Sequence, residues 1–263
     1  MRWPRGTTTR AATNQSCLGG QSGRPSPGLR VGTLALSQTF RNPALVAKAA
    51  TTVQTLTDGR FVLGIGAGAN ESEHRAYGYQ FAPPRERLAQ LAEAAQIIKA
   101  LWGTGPVSFS GTHYTVMEAF CEPRPVPPQP LMIAGMGERY ALRVVAAHAD
   151  WWNGDWCTTD DYARKLAILH QYCREIGRDP ASITPTYYGW VSLSRDPARV
   201  THRIAHGFGA GMHIIAGNAD AVAREIEAFA ARGVAHMQLH FVDHPATEGL
   251  ELFLSEILPR FNR

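Results

Sequence analysis

Cysteine is scarce in this 263-residue chain: four residues, at positions 17, 121, 157 and 173, with no C-x-x-C pair among them. That is too few to staple a chain of this size, so the thiols are read as reduced, packing groups of a cytoplasmic protein. Long apolar runs are missing as well. Phe61–Ile65 and Leu131–Ala134 fall far short of the roughly 20 residues a bilayer-spanning helix needs, so no membrane partner is expected and the chain reads as soluble. Acidic residues are absent from the first 57 positions, where seven Lys or Arg stand. Of the 26 basic residues, 19 remain from Asp58 onward against 22 acidic ones. The formal charge of +4 therefore belongs to the N-terminal end, and the body carries no nucleic-acid footprint.

Residues 1–28, MRWPRGTTTRAATNQSCLGGQSGRPSPG, have scarcely an aliphatic side chain and no period of 2 or 3.6. Such a segment cannot bury enough apolar surface to order itself. Pro4, Gly6, Gly19, Gly20 and Pro25 break every amphipathic helix a transit peptide would need, and no apolar h-region marks a secretory signal. The expectation is a disordered basic tail over 1–28 followed by one domain over 29–263.

What is present from Leu29 onward is alternation. LRVGTLAL (29–36) reads as a strand buried on both faces. Asn42 as N-cap and Pro43 at the first helical position open a helix whose stripe is Leu45, Val46, Ala49, Ala50, Val53 and Leu56, stopped by Asp58-Gly59. RFVLGIG (60–66) is a second buried strand and runs into GAGANESEH. A long helix follows Pro83-Pro84, with Leu88, Leu91, Ala92, Ala95, Ile98 and Leu101 at helical spacing. VSFSG and HYTVM are short β pieces in an excursion over 105–130. Alternation then resumes: strand 131–134, a helix opened by GMGER through Ala147, strand 148–152, a helix capped by Thr158 or Thr159 to Ile176, and strand 184–193. Helix 197–206, a short strand at 213–216, helix 220–232, strand 234–242 and helix 249–261 complete it.

Alternating strands and helices imply a mostly parallel α/β sheet, because a parallel pair needs a crossover long enough to hold a helix. A dinucleotide fold using GIGAGA (Gly64, Gly66, Ala69) lacks an acid ending a strand about 20 residues on. The (β/α)8 TIM-barrel type fits better, in an incomplete form with about six strands.

These segments resemble the bacterial luciferase-like flavin monooxygenase family, whose relatives include enzymes that use the deazaflavin coenzyme F420. The resemblance rests on LRVGTLAL, FRNPALVAKAATTVQTLTDGR, FVLGIGAGANESEHRAYGYQF, PPRERLAQLAEAAQIIKALW, PVSFSGTHYTV, PLMIAGMGER and AAHADWWN. More loosely, it extends to VAHMQLHF and SEILPRF. It implies a barrel with flavin at its C-terminal mouth, in which Leu29 begins the third strand and the first two βα units are missing. On that reading the tail has the composition of an out-of-frame or misplaced start, and the strand ends left unpaired expose two sheet edges.

Gly66, Ala67 and Gly68 end a strand and run toward a helix, so their amides can face an anion, with Asn70 and Glu71 beside them. The other reading is a tight turn. Gly135, Gly137 and Glu138 repeat that pattern, and the resemblance assigns this segment to the cofactor phosphate. It also places Thr33 and Asn153 near the flavin ring. Glu71 and Glu73 are read as loop residues meeting solvent or capping the next helix. His202 and His206 lie i, i+4 without a third ligand, so no metal site is expected. His236, Gln238 and His240 share one strand face, and His240 is the candidate acid/base or substrate-binding group.

The resulting expectation is an oxidoreductase using FMN or F420 on a small organic substrate, supplied by a flavin reductase or other source of reduced cofactor, with a homodimer as the expected assembly. The alternative is a truncated, inactive remnant that binds flavin weakly or associates through its open edge. A metal hydrolase would need a ligand set the sequence does not offer.

Overall fold

The computed structural model describes residues 30–207 and 212–261. The expected tail at 1–28 lies outside them. The chain divides into two compact units, Met1–Trp152 with Leu169–Ile183, and Asn153–Ile168 with Thr184–Arg263.

In the first unit, β1 (Val31–Gly32) and β2 (Leu36–Ser37) both run parallel to β3 (Phe61–Gly66), and β3 pairs with β6 (Leu131–Ala134). The single strand expected over 29–36 is broken. Gly32 pairs with Val62 and Leu36 with Ile65, so Thr33–Ala35 puts three residues opposite two and makes a bulge. Thr33 causes it: its hydroxyl donates to Gly64 O (2.8 Å) and accepts from Gly64 N (2.9 Å), replacing the ladder there.

Helix α1 (Pro43–Leu56) begins as its sequence dictates, Asn42 Oδ1 accepting from the amides of Ala44 and Leu45. It ends at Asp58 and Gly59, both at positive φ (51° and 80°). Its inner side buries Val46, Ala47, Ala50 and Val53, but Leu45 and Leu56 are 67% and 59% exposed, so the apolar stripe is wider than the surface that covers it. An apolar cavity of about 320 Å³ opens beside it, lined by Leu36, Phe40, Leu45, Val46, Phe61 and Leu63 among others. Helix α2 (Glu71–Ala76) leads to α3 (Pro84–Leu101), which buries Leu91, Ala94, Ala95, Ile98 and Leu101. The excursion is an antiparallel hairpin, β4 (Val107–Ser110) with β5 (Thr115–Ala119). Helix α4 (Ala141–His148) starts later than GMGER suggests, because two glycines favour no helical turn and residues 138–140 form a separate one.

Strand β7 (Trp151–Asp155) and helix α5 (Thr159–Glu175) carry the chain between the units. In the second unit, β8 (Thr184–Leu193) runs parallel to β10 (His236–Phe241) over six residues and to β9 (Ile214–Gly217) at its C-terminal end. Helices α6 (Pro197–Gly207), α7 (Ala219–Ala231), α8 (Glu248–Leu252) and α9 (Leu258–Phe261) complete it. Tyr187 of β8 stacks on Phe229 at 4.1 Å, and Tyr162 meets both rings edge-on. All three are completely buried and form the core between the β8 strand face and the helices.

Candidate functional site

The first unit concentrates its features in the loop after β3. Gly68 has φ of +77°, and a Cβ there would lie 2.5 Å from Ser37 Oγ, so only glycine keeps this path. Arg87 of α3 holds the loop: Nη1 donates to the carbonyls of Ala67 (3.3 Å) and Gly68, Nε to Ala82 O (2.9 Å), and the guanidinium lies 4.0 Å over the Phe81 ring. In a planar trans peptide the C=O and the following N–H point opposite ways. With the Ala67 and Gly68 carbonyls turned to Arg87, the amides of Gly68 and Ala69 are turned away from it, as a nest for a ligand requires.

His74 pins the other side, its ring nitrogens 2.7 Å from Thr39 Oγ1 and Asn70 O, between Phe40 and Phe81. Asn70 caps α2, its Oδ1 accepting from Glu73 N and Ser72 Oγ. Glu71 and Glu73 lie in that helix, not in a loop. Glu71 pairs with Arg75 at the surface, while Glu73 is buried and leaves Oε1 without a partner. A buried unpaired group of this kind is destabilising by roughly 1–3 kcal/mol until something satisfies it. Two amides turned away from Arg87 fit an edge of a cofactor that carries acceptors.

Gly66 pairs with Ala134, which brings the ends of β3 and β6 side by side, so Gly135 and Gly137 follow on the strand next to the loop. Gly135 O accepts from Trp152 Nε1 (2.9 Å) and Gly137 O from Leu142 N (3.1 Å). Since α4 begins only at Ala141, neither glycine sits at a helix N-terminus. Glu138 is half-buried in the intervening turn. Thr33 is buried with its hydroxyl shared between both polar groups of Gly64.

In the second unit the register assigns faces. Asn153 Nδ2 donates to Thr186 Oγ1 and Gln238 Oε1, both at 2.9 Å, which puts these three on the face opposite Tyr187. Alternation then adds Asp155, Tyr188, Trp190, Ser192 and His240. Trp156, at φ 47° just past β7, lies over this face with its ring 6.0 Å from Tyr188 and 5.7 Å from Trp190. Its Nε1 is buried and unpaired. Trp190 Nε1 donates to Tyr188 Oη at 3.0 Å. Burial pushes the Asp155 carboxyl up to about 6 and raises Tyr188, which keeps its proton.

His240 is exposed at the end of β10, 6.2 Å from the Trp190 ring, with its pKa lowered by partial desolvation and then by His244. His202 is exposed on α6, and the side chain of His206 lies outside the described residues. Cys121 and Cys173 are buried free thiols, and burial pushes Cys157 up to about 12, which keeps it unreactive.

Sequence reasoning missed Arg87, His74, Asp155, Trp156 and Tyr188. The signal for Asp155 was its place at the C-terminal end of a parallel strand, where barrel enzymes put chemistry. Nothing in residue type alone marked the others.

The family model for luciferase-like monooxygenases matches residues 27–246, and the chain belongs to that family. It is 26% identical over 263 residues to the F420-dependent glucose-6-phosphate dehydrogenase of Amycolatopsis mediterranei (strain U-32), spanning 88% of this chain and 79% of that one. Among solved structures, an F420-dependent secondary alcohol dehydrogenase in complex with an F420-acetone adduct matches with a TM-score of 0.79 at 21% identity, covering 89% of this chain and 80% of that one. The FMN-bound oxygenating constituent of 3,6-diketocamphane monooxygenase from Pseudomonas putida matches with a TM-score of 0.73 at 15% identity, covering 93% and 83%. The fold is the parallel (β/α) barrel type of these neighbours, incomplete among the described residues.

Proposed function

We propose that the chain is an oxidoreductase that uses a deazaflavin or flavin cofactor on a small organic substrate, with F420 ahead of FMN because the relative matched over most of its length is an F420 enzyme. The observation that carries this reading is the loop after β3, whose amides Arg87 turns outward within the family match. Bound there, the cofactor would supply the two-electron chemistry. In the first unit Gly66, Ala67, Gly68 and Asn70 would hold it by backbone and cap, with Gly135, Gly137 and Glu138 beside them. Thr33 would fix the strand geometry behind that loop. In the second unit, taken by itself, Asn153 is the proposed cofactor-binding side chain and His240 the group proposed to hold or pass a proton. A reductase or other supplier of reduced cofactor, a homodimeric state and a cytoplasmic location belong to the same proposal. No helix among the described residues is long and apolar enough to cross a membrane.

The test is a titration of the purified chain with F420 and separately with FMN, followed by cofactor fluorescence. Saturable binding of either supports the reading and selects the cofactor. A folded chain that binds neither overturns it.

A further inference from the structure

The aromatic face of the second unit is chemically selective. None of its positions on β7, β8 or β10 is Lys or Arg. The arginines that follow β8 are already neutralised: Arg195 pairs with Glu256, and Arg199 and Arg203 with Glu248. A phosphate would meet the Asp155 carboxyl on this face with no Lys or Arg of these strands to offset either charge.

What the face does offer is neutral. Trp156 has a buried indole N–H with no acceptor. Tyr188 accepts from Trp190 through its hydroxyl oxygen and keeps its own proton to give. Asp155 ends the strand on the same side. The rings of Trp156, Tyr188 and Trp190, tilted about 60° to one another across Trp156, present apolar walls.

We propose that this face is a binding site for a neutral ketone or alcohol: its oxygen accepts from Trp156 Nε1 and Tyr188 Oη, an alcohol's hydroxyl donates a hydrogen bond to Asp155, and the carbon skeleton packs on the indole rings. This rests on the chain acting on a small organic substrate, and it names the class. The carboxyl's position near neutrality suits both members of a ketone–alcohol pair, because its protonated form donates to a carbonyl and its ionised form accepts from a hydroxyl. A quaternary ammonium would use the rings but leave the indole N–H unpaired.

The experiment is isothermal titration calorimetry on the whole chain, with and without F420, using cyclohexanone, glucose 6-phosphate and tetramethylammonium as probes. Cyclohexanone is expected to bind saturably, and neither charged probe to displace it. Trp156→Phe keeps a ring and removes the N–H, and Tyr188→Phe removes the other donor. Each is expected to weaken cyclohexanone about tenfold while circular dichroism stays unchanged. Absence of ketone binding by the folded chain, an affinity in both variants unchanged from the parent's, or displacement by either charged probe overturns the proposal. Titrating the same samples with F420 and FMN separates the two claims. A chain that takes a cofactor but no ketone refutes this site alone, and one that takes the ketone but no cofactor refutes the proposed function alone.

Discussion

The two units make their candidate sites from different materials. In the first, the loop after β3 is backbone: the amides of Gly68 and Ala69 are turned away from Arg87, and side chains such as Arg87 and His74 work from behind to aim them. In the second, strands β7, β8 and β10 present side chains directly, with Asn153, Asp155, Tyr188 and Trp190 on one face by register. A backbone site needs glycine and tolerates little else. A side-chain site needs register and permits changes of specificity one residue at a time.

Substitutions that separate backbone from side-chain work sharpen this contrast. The largest effect is expected at Gly64, where a Cβ would lie 2.0 Å from Thr33 O and both partners are main chain. Gly64→Ala should destabilise by about 3 kcal/mol or more, read from urea unfolding. A change within about 0.5 kcal/mol would show that the bulge at Thr33 is slack.

Next is Asp155→Asn, in the opposite direction. The folded carboxyl titrates at about 6, above its ordinary 3.8, so the folded state prefers the protonated form. Its favourable contribution is complete below the unfolded pKa and is lost as pH rises through the folded one. The asparagine variant should therefore match the parent near pH 3.8 and exceed it by about 2 kcal/mol at pH 7.5, allowing for partial exposure. Denaturant midpoints across that range decide it, and a constant offset at every pH would refute the burial of this charge.

Arg87→Lys comes third. Lysine keeps the charge but lacks the fork that holds two carbonyls at once. Cofactor affinity should fall about tenfold with secondary structure intact. Thr33→Val is expected to be the smallest, a loss of about 1 kcal/mol in stability from the Gly64 bonds with cofactor affinity unchanged. A large loss of affinity there would move the hydroxyl from strand geometry to direct contact.

The same contrast explains what could be read without coordinates. Periodicity gave α1, α3, β3 and β8 nearly to the residue, since Asn42, Pro43 and the Asp58-Gly59 stop act locally. Glycine runs marked the loop because few other residues adopt its path. Three local readings failed for physical reasons. The first strand is broken by the Thr33–Gly64 bonds, which depend on a partner 31 residues away. GMGER looked like a helix start, but the pairing of β6 and the wide turn to Leu142 delay α4 to Ala141. Glu73 was read as loop and is buried in α2. The aromatic face was illegible because Trp156, Tyr188 and Trp190 meet only through strand register and a positive-φ turn.

The most direct test of this account is a paired titration of Arg87→Lys and Trp156→Phe, each with F420 and with cyclohexanone. The account predicts a crossed result: Arg87→Lys weakens F420 about tenfold and leaves the ketone unchanged, and Trp156→Phe does the reverse. Equal losses for both ligands in both variants, or no loss in either, would contradict it.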